Sequence, residues 1–235
     1  AWFDKDEFVM RQHVLVDYAS ERAMLQHVAA DFSRAASLVS FNGKSFDAPL
    51  LDTRYLFHRL EWPGAHLTHV DALHPSRRFW RQAADGPRES CSLGALEEEV
   101  LGVRRVGDVP GFEIPARYFA FVRSGDARPL AAVLEHNRLD LLSLAGLTAR
   151  LVELVCDGPA CAASAWEAVA LGRAYAGGGD VERARDALER AVVMSNGSTV
   201  AGEAPKVDAL RTLALSLRRA RLHDGSLRLP RPLRR

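Results

Sequence analysis

The run Ser40-Phe41-Asn42-Gly43-Lys44-Ser45-Phe46-Asp47 constrains this chain more than any other stretch. A short apolar run, Leu38 to Phe41, leads into it and predicts a buried strand; a helical pattern reaching about Leu60 follows it. The segment is therefore a strand-to-helix turn. Gly43 is the residue expected to supply a left-handed or tight conformation there, and Asp47 opens the helix. An Asp in that place has two possible roles. As an N-cap it accepts orphan backbone N–H groups, worth about 1 kcal/mol. As a ligand at the carboxyl edge of a sheet it holds a cation, where open α/β folds place their sites.

Ahead of this turn, Ala1-Trp2-Phe3 and Phe8-Val9-Met10 flank the polar tip Asp4-Lys5-Asp6-Glu7 and predict a hairpin, continued through His13 to Val16. Asp4 and Asp6 read as solvated turn residues. Ser20-Glu21 opens a helix whose stripe, Met24, Val28 and Phe32 with Leu25 and Ala29, is core packing. After the turn, Leu67 to Leu73 is strand-like and carries His69, Asp71 and His74. His74 falls past the strand's end, so a zinc site is not expected, and Asp71 reads as a structural or supporting residue. Ser76 to Gln82 is a helical turn in which Arg77, Arg78 and Arg81 surround Phe79 and Trp80. That mixture suits a nucleic-acid backbone and its bases, or else a solvated helix over a buried aromatic pair. Asp85-Gly86-Pro87 reads as a loop, Ser92 to Val100 as a helix whose Glu97-Glu98-Glu99 run is a solvated face, and Gly107 to Pro115 as a connector before a helix over Ala116–Val122.

A long helix over about Pro129–Val155 carries His136-Asn137-Arg138-Leu139-Asp140. Residues four apart project from one helix face, so His136 and Asp140 point together. Taken alone they could be a surface pair. Beyond Asp157-Gly158-Pro159 the chain turns Ala-rich. Leu171-Gly172, Tyr175, Ala184, Leu188 and Ala191 match the spacing of a tetratricopeptide repeat, with Gly177 to Asp180 as its inter-helix turn. A further helix, Val207 to Arg221, follows an inserted loop at 196–205. The tail from Leu227 is Pro- and Arg-rich and is expected to be disordered.

With 48% hydrophobic and 26% charged residues, the composition supports an ordinary globular core. A net charge of +1 neither favours nor excludes a nucleic-acid partner, which needs only a local basic groove. Cys91, Cys156 and Cys161 make no disulfide framework, so a reducing cytoplasm is the expected location. No apolar run is long enough to span a membrane.

The segment Asn42-Gly43-Lys44-Ser45-Phe46-Asp47 resembles the second motif of the DEDD exonucleases, within the ribonuclease H-like superfamily. More narrowly, five segments in order resemble the bacterial YprB-like ribonuclease H-like domain: residues 40–51, 69–80, 91–102, 108–119 and 135–144. The resemblance implies an α/β fold, a mixed ribonuclease H-like sheet flanked by helices over residues 1–155. Tetratricopeptide-like helices over 163–222 and a tail over 223–235 follow it. It also implies metal-dependent hydrolysis of nucleic acid in the manner of a 3′–5′ exonuclease, using Mg²⁺ or Mn²⁺ in a two-metal site. Asp47 and Asp140 become metal ligands, His136 the catalytic residue that positions water, and Asn42 and Asp71 supports of the turn. Lys44, Arg77, Arg78 and Arg81 become contacts to a single-stranded or structured nucleic acid. His136 stands where one subfamily has Tyr.

The other half of the ligand set, an Asp-x-Glu on the family's first strand, is not found in the chain, which opens at Ala1 on strand-like residues. A fragment with weak or absent activity is the corresponding expectation, with Asn42, Asp47 and Asp140 converging at one end of the sheet. The alternative is a noncatalytic module that binds nucleic acid, or a protein partner through its helical repeat.

Overall fold

The computed structural model describes residues 1–83, 86–196 and 203–226, with side chains as far as Leu215. The inserted loop falls partly, and the tail from Leu227 wholly, outside the described residues. The chain divides into two compact units, residues 1–74 with 92–148 and residues 75–91 with 149–235. No helix among the described residues is long and apolar enough to cross a membrane.

In the first unit, strands β1 (Trp2–Asp4) and β2 (Glu7–Val9) form the expected antiparallel hairpin around its polar tip. The strand expected over His13–Val16 does not form. Contacts with distant helices engage this part of the chain instead of a ladder partner. Gln12 donates its amide to the Leu134 carbonyl at 2.8 Å, and the Tyr118 hydroxyl donates to the Leu15 carbonyl at 3.0 Å.

Helix α1 (Glu21–Phe32) buries Leu25 completely, and on the same face it also buries Glu21. Glu21 accepts from Arg54 Nε at 2.7 Å and lies 2.8 Å from His58 Nε2. The Arg54 hydrogen bonds outweigh burial and, with help from His58, hold the Glu21 carboxyl at about 2. Both partners sit on or next to α2 (Asp47–Phe57), so this pair ties the helix after the turn back to α1. Tyr55 of α2 is 1% exposed and donates its hydroxyl to the Leu25 carbonyl at 2.6 Å. Burying such side chains contributes about 1.5–3 kcal/mol each.

Strands β3 (Ser37–Ser40) and β4 (Thr68–Asp71) pair in parallel, with Ser40 opposite Asp71. The crossover between them carries α2, as a parallel connection requires. Among the described residues neither strand pairs with any other, so the sheet at the heart of the α/β unit is this two-stranded ribbon. The unit closes with α4 (Leu93–Val100), α5 (Ile114–Ser124) and the long α6 (Arg128–Asp157), which continues into the second unit. Ser92 caps α4 through its hydroxyl, and Gly125, in the left-handed region, ends α5.

The second unit takes most of α3 (Leu73–Trp80) and the short bridge of β5 (Gln82–Ala83) with β6 (Gly86–Pro87), where sequence predicts a loop. Asp85 lies outside the described residues. Trp80 is buried and donates its indole N–H to Glu167 at 2.8 Å, which joins this stretch to the C-terminal helices. Those are α7 (Ala165–Gly178), α8 (Val181–Ser195) and α9 (Glu203–Ser226), with α8 and α9 each packed on α7. The glycine turn is shorter than sequence predicts: Gly177 and Gly178 stay helical, Gly179 is left-handed, and Asp180 caps α8.

Leu171 and Tyr175 of α7 and Ala184, Leu188 and Ala191 of α8 are all buried. Gly172 lets the helices approach: a β-carbon there would lie 2.6 Å from Leu188 Cγ and 3.2 Å from the Ala184 carbonyl oxygen. Gly172→Ala should therefore destabilise the second unit by about 1–3 kcal/mol, despite alanine's better helix propensity. Chemical denaturation followed by circular dichroism would measure the loss.

Candidate functional site

The parallel register delivers the first part of the site. Because Ser40 lies opposite Asp71, the backbone leaving β3 runs directly past the carboxylate that ends β4. Asp71 is 4% exposed and accepts three backbone N–H groups, from Asn42 at 2.7 Å, Lys44 at 3.0 Å and Leu73 at 3.1 Å. Burial pushes its pKa up, but the three N–H donors and the nearby His74 outweigh that and hold it below the ordinary carboxylate range. Asp71 is thus the staple of the turn.

The left-handed residue of this turn is Asn42, with φ of 65°, and not Gly43. Asparagine tolerates that region better than other side-chain-bearing residues. Gly43 is needed for a different reason. It is buried, and a β-carbon there would lie 2.5 Å from both Ser40 Cβ and Ser40 Oγ and 3.3 Å from Asp47 Oδ2. The backbone can therefore hug the end of β3 only without a side chain.

The turn presents Lys44 and Asp47 outward. Both are exposed, and Asp47 is the first residue of α2. Its carboxylate caps nothing: the capping position is Phe46, and among the described residues Asp47 has no hydrogen bond or ion pair. The N-cap role is therefore excluded. His69 lies on β4 with Nε2 2.7 Å from Ser40 Oγ. Burial, then the charge of Lys44, lower its pKa against the opposing pull of Asp71.

A second cluster forms where the loop after α4 meets α6. Arg105 is its hub. It donates to Glu97 through Nε at 2.7 Å, to Asp108 through Nη1 at 2.9 Å and to Asp140 Oδ1 through Nη2 at 2.7 Å. His136 lies between two acids, with Nδ1 2.8 Å from Asp108 Oδ1 and Nε2 3.5 Å from Asp140 Oδ2. Burial lowers the Arg105 pKa, yet its hydrogen bonds to Glu97, Asp140 and Asp108 more than reverse this, so the net shift is upward. Burial raises Asp108, while His136, Arg105 and the Val109 N–H together bring it below its ordinary value.

Glu97 is only 2% exposed, which corrects the expectation that its acidic run is a solvated face. Leu93, Leu96, Glu97 and Val100 follow the helical i, i+3, i+4, i+7 spacing, and that pattern could have flagged Glu97 as inward-facing. Arg105 and Asp108 were missed altogether. Their stretch of loop offers no periodic signal.

The structure thus brings together His136 and Asp140, and separately Asn42, Lys44, Asp71 and Asp47. No hydrogen bond or ion pair joins Asp47 to Asp140 among the described residues, and there no three His, Cys, Asp or Glu side chains form a group able to hold a metal ion. Arg77, Arg78 and Arg81 belong to the second unit and are exposed, the first two on α3 beside the buried Phe79 and Trp80 and Arg81 just past its end.

Residues 1–152 match the family described as the RNase_H superfamily. The chain belongs to the RNase_H superfamily. It is similar to the uncharacterized protein YprB of Bacillus subtilis (strain 168), with 32% identity over 192 residues, which are 81% of this chain and 45% of that relative. The chain therefore spans about half the length of the curated relative it matches. No solved structure matches it. Within the RNase_H superfamily unit, the two-metal centre that the resemblance implies is not fitted by the described residues. Asp47 is open, but Asp140 is already paired with a guanidinium.

Asp71→Asn should loosen the turn and cost about 2 kcal/mol, since charged acceptors make the stronger hydrogen bonds. Because the folded pKa of Asp71 is depressed, its contribution is complete above its ordinary value of 3.8 and is lost as pH falls through the lower folded value. Melting both proteins at stepwise lower pH should show the wild-type advantage shrinking only in acid.

Proposed function

We propose that this chain carries a nuclease domain that hydrolyses phosphodiester bonds in nucleic acid, with 3′–5′ exonucleolysis of a single strand as its mode. The observation that carries the reading is the open carboxylate of Asp47. It stands on a turn held by two backbone hydrogen bonds to a buried acid, at the carboxyl end of a parallel strand pair. A buried, fully bonded frame holding out one unpaired acid is how a fold positions a reactive group.

Asp47 is proposed to face the scissile phosphate and hold the attacking water, with Lys44 three residues ahead of the helix start to attract the phosphate's charge. His136, backed by Asp108, is proposed to hold a proton near Asp140. The dependence on Mg²⁺ or Mn²⁺ is proposed for the whole protein. Since the described residues assemble no cation site, this chain alone should hydrolyse slowly. Cytoplasmic location and a protein partner for α7–α9 belong to the same reading.

A second reading is favoured by one observation, the Arg105 ion pair that neutralises Asp140. It makes the chain a noncatalytic nucleic-acid-binding module.

End-labelled single-stranded RNA and DNA with Mn²⁺ separate the two. The nuclease reading expects shortening by the wild-type chain and a loss of about 10²–10⁴-fold in rate for Asp47→Asn, the range for removing a catalytic acid–base group. Binding without shortening would select the module.

Arg77, Arg78 and Arg81 have no ion pair with another described residue, and all three are exposed, two on α3 and one directly after it. Replacing all three by Gln should weaken binding to every sequence alike. It should also flatten the log–log salt dependence by about 2, at roughly 0.7 per single-strand phosphate contact. Fluorescence anisotropy across a salt series would measure it.

A further inference from the structure

We propose that Arg105 is the resident cation of the acidic cluster around Asp140, standing where a divalent ion would otherwise be drawn, so that Asp140 serves this chain as a counterion and not as a metal ligand. This goes beyond the proposed hydrolysis and does not depend on it.

The inference starts from the donor count. A guanidinium offers five N–H donors in a rigid plane, and Arg105 spends them on three carboxylates from three places in the chain: Glu97 on α4, Asp108 on the following loop and Asp140 on α6. With His136 beside two of these acids, the residue types are those a divalent cation takes, but they are spread around the guanidinium and form no group able to hold a metal ion as they stand. A hard ion such as Mg²⁺ or Mn²⁺ needs about six oxygen ligands arranged around it. Here the oxygens of three acids already converge on nitrogen.

Arg105 is also not free to leave. Its side chain is 12% exposed and its partner Glu97 is 2% exposed. Moving the guanidinium out would strand a buried carboxylate, which is strongly unfavourable. The loop is built to return the side chain to this spot. Gly102 and Gly107 bracket it with φ of 69° and 72°, and the Val103 N–H is bonded to the Glu97 carbonyl at 3.2 Å. A lysine could not replace it, because one ammonium cannot span three acids in this planar arrangement.

The test is Mn²⁺ binding, read by electron paramagnetic resonance and by the shift in melting temperature, on the full chain. Wild type and Asp140→Asn should bind Mn²⁺ equally, because Asp140 is not a ligand while Arg105 is present. Arg105→Gln should gain Mn²⁺ affinity by about tenfold or more, and adding Asp140→Asn to it should remove the gain. Should Arg105→Gln fail to fold, Glu97→Gln/Arg105→Gln removes the most deeply buried of the stranded charges and keeps Asp108, Asp140 and His136 for the same measurement. Mn²⁺ binding by wild type that Asp140→Asn abolishes would overturn the proposal, as would a folded Arg105 variant with no gain.

Discussion

The first unit depends on one buried anion. Asp71 gives up hydration at the end of β4 and is compensated by three backbone N–H groups, two of them from the turn after β3. A buried carboxylate without such partners would be expelled or protonated. With them, it becomes an acceptor-only anchor that holds two strand ends together. Everything the turn presents follows from that anchor: the left-handed Asn42, the side-chain-free Gly43 against Ser40, and the outward Asp47. The same unit holds another buried acid, Glu97, in the opposite way. There the compensation is a full positive charge, and the charge is shared with Asp108 and Asp140.

These two solutions have different chemical outcomes. Dipoles satisfy Asp71 without bringing in a formal charge, so they leave the neighbouring Asp47 electrostatically available. A guanidinium satisfies Glu97 but spends its remaining donors on the acid that the family resemblance would assign to a cation. The unit consequently has one carboxylate open to an outside partner and another engaged internally, although both lie on motifs of the same resemblance.

Legibility from sequence followed the range of the interactions. Helices α1, α2 and α6, the strands of the parallel pair and the helices of the second unit all carry local periodicity, and their positions were readable to within a few residues. The turn was readable as a turn, yet its left-handed residue was not Gly43. The choice between Asn42 and Gly43 was made by a contact with Ser40 and by an acid 29 residues downstream. The expected strand at His13–Val16 failed for a related reason: the pattern suits a strand, but the Leu15 carbonyl is taken by the side chain of Tyr118 on a remote helix. Arg105 was invisible because a lone arginine in an aperiodic loop has no pattern. Its meaning comes only from the acids around it.

The link between Asn42 and Asp71 also bears on how the unit acquires its shape in time. The turn cannot be locked by its own residues, since the anchoring acid arrives only after the chain has passed through α2 and come back alongside β3. That closure carries an entropic cost, and parallel pairing of this kind is slow compared with helix formation. Asp47 therefore reaches its final setting late, once the crossover is complete. A peptide covering β3, the turn and α2 lacks the acid that locks the turn.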